Sequence, residues 1–539
     1  MSNMGCRAVG RGLPELRRRS LSLNTRRNNP FLLLAFALGA GLVGGCTSLP
    51  GRDAIGTSFA LTDTEDTRLG RVISPLVAKH PADSGIHPLR NGQDAFAARV
   101  LLAEAAERSL DVQYYIWHDD TSGTLLFDTL RTAADRGVRV RLLLDDANTT
   151  GLDATLAALN AHPNIEVRLF NPFLHRNRRV LDYASDFSRV IRRMHNKSFT
   201  VDNQVTIVGG RNVGDEYFGV PGAVAFEDLD VIAVGPVVHE VSSAFDRYWA
   251  SDSSYPLSRL RSIVAPARTS EAASAALNGR TDPVALAYSD AVRGSTFAYD
   301  LLHGTMALEW APTRMLCDDP AKGLSAAKPE LLLAQSLKTI FGDPTSEVEL
   351  VSPYFVPATW GTEFLVGLAG HGVSIKILTN SLRSTDVPAA HAGYARHRKR
   401  LVEAGIRLYE LRQSSALSAP NDTANVHGST RSSLHAKTFA VDRSRLFVGS
   451  FNFDPRSAEI NTEMGFVIDS PSLAQELAAA FDAGIPESAY EVQLSSSGRL
   501  VWIEHVAGKV VRFETEPGTT FGQRAKVRVL SLLPLEWLM

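Results

Sequence analysis

His195 and Lys197 stand two residues apart in "MHNKSFTVD", Met194 to Asp202, and the pattern returns as "LHAKTFAVD", Leu434 to Asp442. His195, Lys197, Asp202, Gly209 and Asn212 each have an identical residue 240 positions on, at His435, Lys437, Asp442, Gly449 and Asn452. Side chains two apart on a strand share a face, so each copy offers an imidazole and an ammonium side by side. A pseudo-symmetric packing of the copies would bring two of each together. Displacement at a phosphodiester is the chemistry that uses such a set. One imidazole attacks phosphorus, the other protonates the leaving alkoxide, and the lysines offset the phosphate charge. An alcohol or water then releases the phosphohistidine, with the second histidine acting as base. A lone strand histidine is more often a packed core residue, and His118, His239, His303 and His371 are read that way. The duplication lifts His195 and His435 out of that class.

The surrounding elements read as α/β. "DAFAARVLLAEAAERSL" from Asp94 has helical spacing, "DVQYYIW" from Asp111 alternates as a strand, "GTLLFDTLRTAADRG" is helical again, and "VRVRLLLDD" returns to strand. The same rhythm recurs from "VELVSPYF" at Val348 through "IRLYEL", which implies two similar units with parallel strands. The divisions expected are 1–45 leader, 46–88 flexible tether, 89–250 first lobe, 251–329 linker and inter-lobe region, 330–480 second lobe and 481–539 C-terminal tail. The tail carries Arg524, Lys526 and Arg528 beside leucines, which suits a helix in a membrane interface or one docked on the core.

Seven arginines and one glutamate precede "FLLLAFALGAGLVGGC", Phe31 to Cys46. That apolar run is shorter than the ~20 residues a spanning helix needs and reads as a secretory signal. Its "VGGC" ending resembles a bacterial lipobox, which implies cleavage before Cys46, a lipid on that cysteine, and a periplasm-facing protein anchored in the cell envelope. Removing residues 1 to 45 takes the formal charge from 56 − 58 = −2 to 49 − 57 = −8. No bulk basic footprint for nucleic acid remains. The cysteines offer neither a disulfide framework nor a CxxC metal spacing. The acidic pairs in "WHDD" at Trp117, "LDD" at Leu144 and "CDDP" at Cys317 read as solvated loop carboxylates, so neither metal nor cofactor is expected.

HxKxxxxD followed by GG or GS and Asn resembles the paired signature of the phospholipase D superfamily. "DVQYYIWHDD", "RRMHNKSFTVD", "IVGGRNVGDEYF" and "GSFNFDPRSAEINTEMGFVI" are similar to bacterial cardiolipin synthases of the C type. The resemblance implies two phospholipase D-like lobes, mixed sheets flanked by helices in an α-β-α sandwich, with the active site between them. It implies His195 as nucleophile, His435 as general acid, and Lys197, Lys437, Asn212 and Asn452 around the phosphate. Asp202 and Asp442 would brace the motifs by ion pairs. Asp230 and Glu463 would hold the second nitrogen of the histidines, with Asp228 and Asn461 close by. Phospholipids at a membrane surface are the implied substrates, giving cardiolipin from phosphatidylglycerol and a second phospholipid. Phospholipase D hydrolysis, nucleic-acid phosphodiester cleavage and an inactive lipid-binding scaffold are the alternatives.

Overall fold

Two strand sequences of matching order build the molecule. The computed structural model describes residues 49–51, 55–260, 283–295, 297, 299–300, 305–342, 344–413, 432–506, 508–533 and 536. The leader and Cys46 lie outside the described residues. The first lobe has β1 Ser84–Leu89, β2 Ser109–Ile116, β3 Arg139–Asn148, β4 Ile165–Phe170, β5 Ser198–Val201, β6 Val205–Gly209, β7 Ala225–Glu227, β8 Asp230–Val234, β9 Ser254–Pro256 and β10 Glu309–Ala311. The second has β11 Thr313–Cys317, β12 Glu347–Val351, β13 Ser374–Asn380, β14 Arg407–Leu411, β15 Ser432–Leu434, β16 Thr438–Val441, β17 Arg445–Gly449, β18 Met464–Ile468, β19 Ala489–Leu494, β20 Leu500–Val506 and β21 Lys509–Phe513.

The first sheet runs β10-β1-β8-β6-β5-β2-β3-β4-β9 and the second β11-β18-β17-β16-β12-β13-β14-β19-β20-β21. Stripped of their edges, both have one topology: three parallel strands beside four antiparallel ones. The parallel strands are apolar runs because layers cover both their faces. Helices Gly92–Ala105 and Thr121–Asp135 cover the first sheet, and Ala358–Gly370 and Pro388–Glu403 the second. Between the sheets one apolar cluster joins Ile86, Val208 and Val231 to Ala440, Val448 and Phe466.

Three sequence divisions need correcting. The proposed tether is fixed well before residue 88. Buried Arg168 and Arg141 take the carbonyls of Gly56 and Ser58 at 2.7 and 2.6 Å, and helix Arg68–Val77 and β1 follow. The region 251–329 supplies β9 and β10 to the first sheet and β11 to the second. The C-terminal tail adds β19 to β21 to the second sheet. Its helix Phe521–Leu530 then docks on Pro388–Glu403 through Val527, which packs with Leu382 and Ala392. Phe521 and Val529 stay exposed.

Asp202 and Asp442 sit in type I′ turns after β5 and β16, with φ of 49° and 51° and the next residue also positive. The expected ion pairs are replaced by backbone amides. Asp202 accepts from Glu107, Arg108 and Ser109 at 3.0, 2.8 and 2.9 Å. Asp442 accepts from Thr345, Ser346 and Glu347 at 2.9, 2.8 and 3.0 Å. Each carboxylate therefore ties its hairpin to the chain entering β2 or β12. Partial burial pushes Asp442 upward, but the amides outweigh it and hold the carboxyl well below the usual range. Asp202 is fully buried. Asp202→Ala is expected to cost roughly 3 kcal/mol by stranding buried donors, seen as a lower urea midpoint at unchanged slope. Asp442→Ala strands more exposed donors and should cost less.

Candidate active site

His195 and Lys197 lie in an extended link just before β5, and His435 and Lys437 in the matching link before β16. Each link is hydrogen-bonded to the opposite lobe. The His195 amide donates to Thr462 and the Thr462 amide to Arg193, both at 2.9 Å. In the other copy β15 pairs with β7, and the amides of His435 and Ala436 donate to Glu227 at 2.8 and 3.0 Å. Lys197 Nζ donates to the His195 carbonyl at 2.6 Å, and Lys437 Nζ to the His435 carbonyl. The two copies thus meet at the lobe interface, all four side chains buried.

The carboxylates are exchanged between lobes. His195 Nδ1 lies 2.8 Å from Glu463 Oε2, and His435 Nδ1 lies 2.5 Å from Asp228 Oδ2. The expected orienting role of Asp230 does not match the geometry. Asp230 opens β8 inside the first lobe, takes Arg99 at 2.8 Å and accepts the Arg211 amide at 3.1 Å. Asp228 ends the segment that reaches across to the second lobe. Counting from each motif, Asp228 is 228 − 195 = 33 residues on and Glu463 is 463 − 435 = 28. The 240-residue offset therefore fails where the carboxylates stand.

Further groups fix these four, and the sequence reading missed them. Asp318 of "CDDP" is fully buried rather than solvated. It accepts the Glu463 amide at 2.8 Å and Lys322 Nζ at 2.9 Å. Arg211 donates to the Asp228 carbonyl at 2.5 Å. Asp145, at the end of β3, accepts the Met194 amide at 2.7 Å, while Asn380, at the end of β13, accepts the Leu434 amide at 3.0 Å. "LDD" and "LTN" thus hold the residue before each histidine, a clue readable from the rhythm alone. Asp120 of "WHDD" caps helix Thr121–Asp135 by accepting from Gly123. Its other oxygen accepts the Asp215 amide at 2.8 Å, and its potential ligand atom lies within 4.8 Å of those of His118 and Glu216.

Aromatic rings wall the imidazoles. Tyr115 meets His195 edge-on at 4.9 Å, Tyr217 meets His435 at 5.1 Å, and Phe226 stacks on His435 at 5.2 Å. Asn212 is engaged at both ends: its oxygen accepts the Ile116 amide at 3.2 Å and its nitrogen donates to Tyr217 at 2.9 Å. Asn452 Oδ1 is buried with no protein partner.

Charge is distributed unequally between the copies. Burial, reinforced by Lys197 and Lys437, pushes His195 well below its ordinary value. Burial also pushes Glu463 up, to about 7, against the pull of Lys197. His435 is lowered by burial and Lys437 too, but Asp228 opposes the shift. Burial would raise Asp228, yet His435 and Lys437 outweigh it and hold the carboxyl well below its usual range. Burial lowers Lys197 to about 7 and Lys437 to about 8.

Residues 101–249 and 337–484 both match the family described as "Cardiolipin synthase, PLD-like domain". The chain belongs to this phospholipase D-like family. Each matched segment of the phospholipase D-like chain holds one complete motif. It is 49% identical over 472 residues to Cardiolipin synthase C of Escherichia coli, covering 88% of this chain and 100% of the relative. An uncharacterized protein of Helicobacter pylori is 32% identical, over 91% of this chain and 96% of its own. The crystal structure of a phosphatidylserine synthase from Haemophilus influenzae has the same fold, with a TM-score of 0.52 at 13% identity. It covers 87% of this chain and 99% of that one.

Proposed function

We propose that this protein transfers a phosphatidyl group through a phosphohistidine, joining phosphatidylglycerol to a second phospholipid to make cardiolipin. The observation that carries the reading is the pair of imidazoles, each held by a carboxylate of the opposite lobe and flanked by a lysine. The 49% identity to a whole cardiolipin synthase C supports the substrate class.

The unequal charges support one division of labour. His195 stays neutral, so Nε2 keeps the lone pair that attacks phosphorus while Nδ1 is held by Glu463. His435 faces an ionised Asp228, which opposes the lowering of its pKa by burial and Lys437, so of the two rings His435 is the one suited to hold on Nε2 the proton given to the departing headgroup oxygen. The P–O bond breaks as the N–P bond forms. His435, now neutral, removes the proton from the incoming hydroxyl, whose oxygen displaces His195 and restores both imidazoles. Lys197 and Lys437 balance the charge that builds on the phosphoryl oxygens, and Asn452, whose Oδ1 no protein group holds, can turn its NH2 to donate to them. Water in place of the lipid hydroxyl would give phospholipase D hydrolysis. Lipid mass spectrometry on cells producing the wild type tests the function: cardiolipin should rise over an empty-vector control, and an unchanged level sinks the reading.

A pH dependence follows from the lysines. A lysine lowered to about 7 is charged below that pH and neutral above it, so phosphate recognition weakens as pH rises through 7 to 8. Initial rates across pH 6 to 9 should show kcat/KM falling on the alkaline side through a rising KM. The bound phosphate recharges the lysines, so kcat falls less.

We also propose that a lipid on Cys46 anchors the protein in the cell envelope, facing the periplasm. The apolar run ending in "VGGC" supports it. Labelled palmitate should enter the wild type and not Cys46→Ser. Equal labelling of both removes the anchor.

A further inference from the structure

The duplicated fold contains its own control, because one position is filled in the first lobe and open in the second. After β8 comes helix Pro236–Ala250, ending "AFDRYW", Ala244 to Trp249. After β18 comes helix Pro471–Ala479, running into "AFDAGI", Ala480 to Ile485. The prolines that open these helices are 471 − 236 = 235 apart, but the Ala-Phe-Asp triplets are 480 − 244 = 236 apart. The extra residue lies between the proline and the triplet, and a π-helical turn, Ala480–Gly484, spans the triplet and carries the chain on to Ile485. Such turns insert one residue into a helix and recur at functional sites.

Tyr248 and Trp249 therefore correspond to Gly484 and Ile485. In the first lobe both rings are fully buried and pack with Leu143, Phe170 and Met194. Their counterparts Leu378, Leu411 and Leu434 form the matching cluster with Phe481 and Ile485. Where the first lobe has two large rings, the second has a cavity of about 290 Å³, just below the ~300–1,000 Å³ that ligand pockets span. Leu229, Leu378, Leu434, Leu473, Leu477 and Ile485 are among its walls. Its exposed mouth carries the Arg90–Glu476 ion pair.

The cavity touches the reaction centre through its wall. Asp228, which holds His435 Nδ1, lines it, as do Leu434 and Ala436 on either side of His435. Glu227, whose carbonyl anchors the His435 segment, lines it as well. Burial pushes the Glu227 carboxyl up, against Arg211, toward the neutral form that an apolar neighbour tolerates. The rim offers a cation and an anion, a match for the glycerol-phosphate region of the acceptor phospholipid, whose own phosphate lies away from the imidazoles.

We infer that this cavity takes one acyl chain of a phospholipid substrate, seated behind the His435 segment. The inference rests on the phosphatidyl-transfer reading and adds where the lipid's apolar part is held. Gly484 has an ordinary helical φ of −74°, and a Cβ there meets nothing within 4 Å. Gly484→Tyr thus restores the first lobe's residue without backbone strain, and Gly484→Ala is its matched control.

The full-length protein would be assayed in micelles with dioleoyl-phosphatidylglycerol and with dihexanoyl-phosphatidylglycerol. Gly484→Tyr should lose about tenfold in kcat/KM for the long-chain lipid, through KM, and keep wild-type values for the short-chain one. Gly484→Ala should match the wild type on both. Wild-type kinetics of Gly484→Tyr on the long-chain lipid, or an equal loss on both lipids, would overturn the acyl site. As a second readout, the fluorescence of Leu477→Trp should be quenched by phosphatidylglycerol brominated on its acyl chains, and unchanged fluorescence would also overturn it. Quenching without phosphatidyl transfer by the wild type would instead count against the proposed function and leave the acyl site standing.

Discussion

His195→Ala and His435→Ala are both expected to lower phosphatidyl transfer between natural lipids by roughly 10⁴-fold or more, yet to separate on a diester with an acidic phenol as leaving group. A phenolate departs without a proton, so the enzyme lacking His435 should still release phenol in a single burst and retain the phosphoryl group on His195. The enzyme lacking His195 should give no burst. The unequal surroundings of the rings require this order. Burial and two lysines keep His195 neutral, while the ionised Asp228 favours a proton on His435. An acid-labile adduct on the His435→Ala protein with the mass of the phosphoryl group and its remaining ester, read by intact mass, is the check. Its appearance on His195→Ala instead would exchange the two roles.

Asp228→Asn is expected to lower kcat by about 10³- to 10⁴-fold with little change in the melting temperature. An amide of the same shape donates where the carboxylate accepted, so His435 turns to the wrong tautomer, an effect of about 10⁴ in a comparable triad. The Arg211 bond to the Asp228 carbonyl is untouched by the substitution. Asp230→Asn should behave in the opposite way. It weakens the buried pair with Arg99, both side chains at most 2% exposed, and breaking such a pair costs about 3–5 kcal/mol. Thermal melts together with kcat separate the two: Asp228→Asn loses rate and keeps stability, and Asp230→Asn loses stability first. A stable and fully active Asp228→Asn enzyme would remove the proposed role of that carboxylate.

Asp228 and Asp230 also show where the sequence stops being informative. His195, Lys197, His435 and Lys437 were legible because the duplication kept them in register, and the α/β rhythm was legible because each parallel strand is a short apolar run followed by a helix. The carboxylates were harder, since a difference of five residues, 33 against 28, separates the two copies at that point. No spacing rule tells that Glu463 serves the histidine of the other copy, because the exchange exists only once the lobes pack. Asp318 resembled a loop carboxylate until Lys322 and the Glu463 amide closed around it. The segment from Gly56 had the composition of a linker, and what fixes it is remote: two arginines on β3 and β4 that need carbonyl partners. Asp202 and Asp442 were expected to find cations, but strand-entry amides lie nearer the turn and satisfy the charge without one.

The crossed carboxylates bear on how such a molecule could have begun. A single half-length chain holding His195 and Lys197 has no Glu463, so it cannot orient its own ring. The smallest self-sufficient form of this architecture is a symmetric pair of identical half-chains, each lending its acid to the other. Within one polypeptide the halves need not be identical. One acid could become Glu and the other Asp, and one flank could keep Tyr248 and Trp249 while the other gave them up. The inequality between the two histidines is thus something only the joined chain can have, and a homodimeric ancestor would have had to run both half-reactions with identical rings.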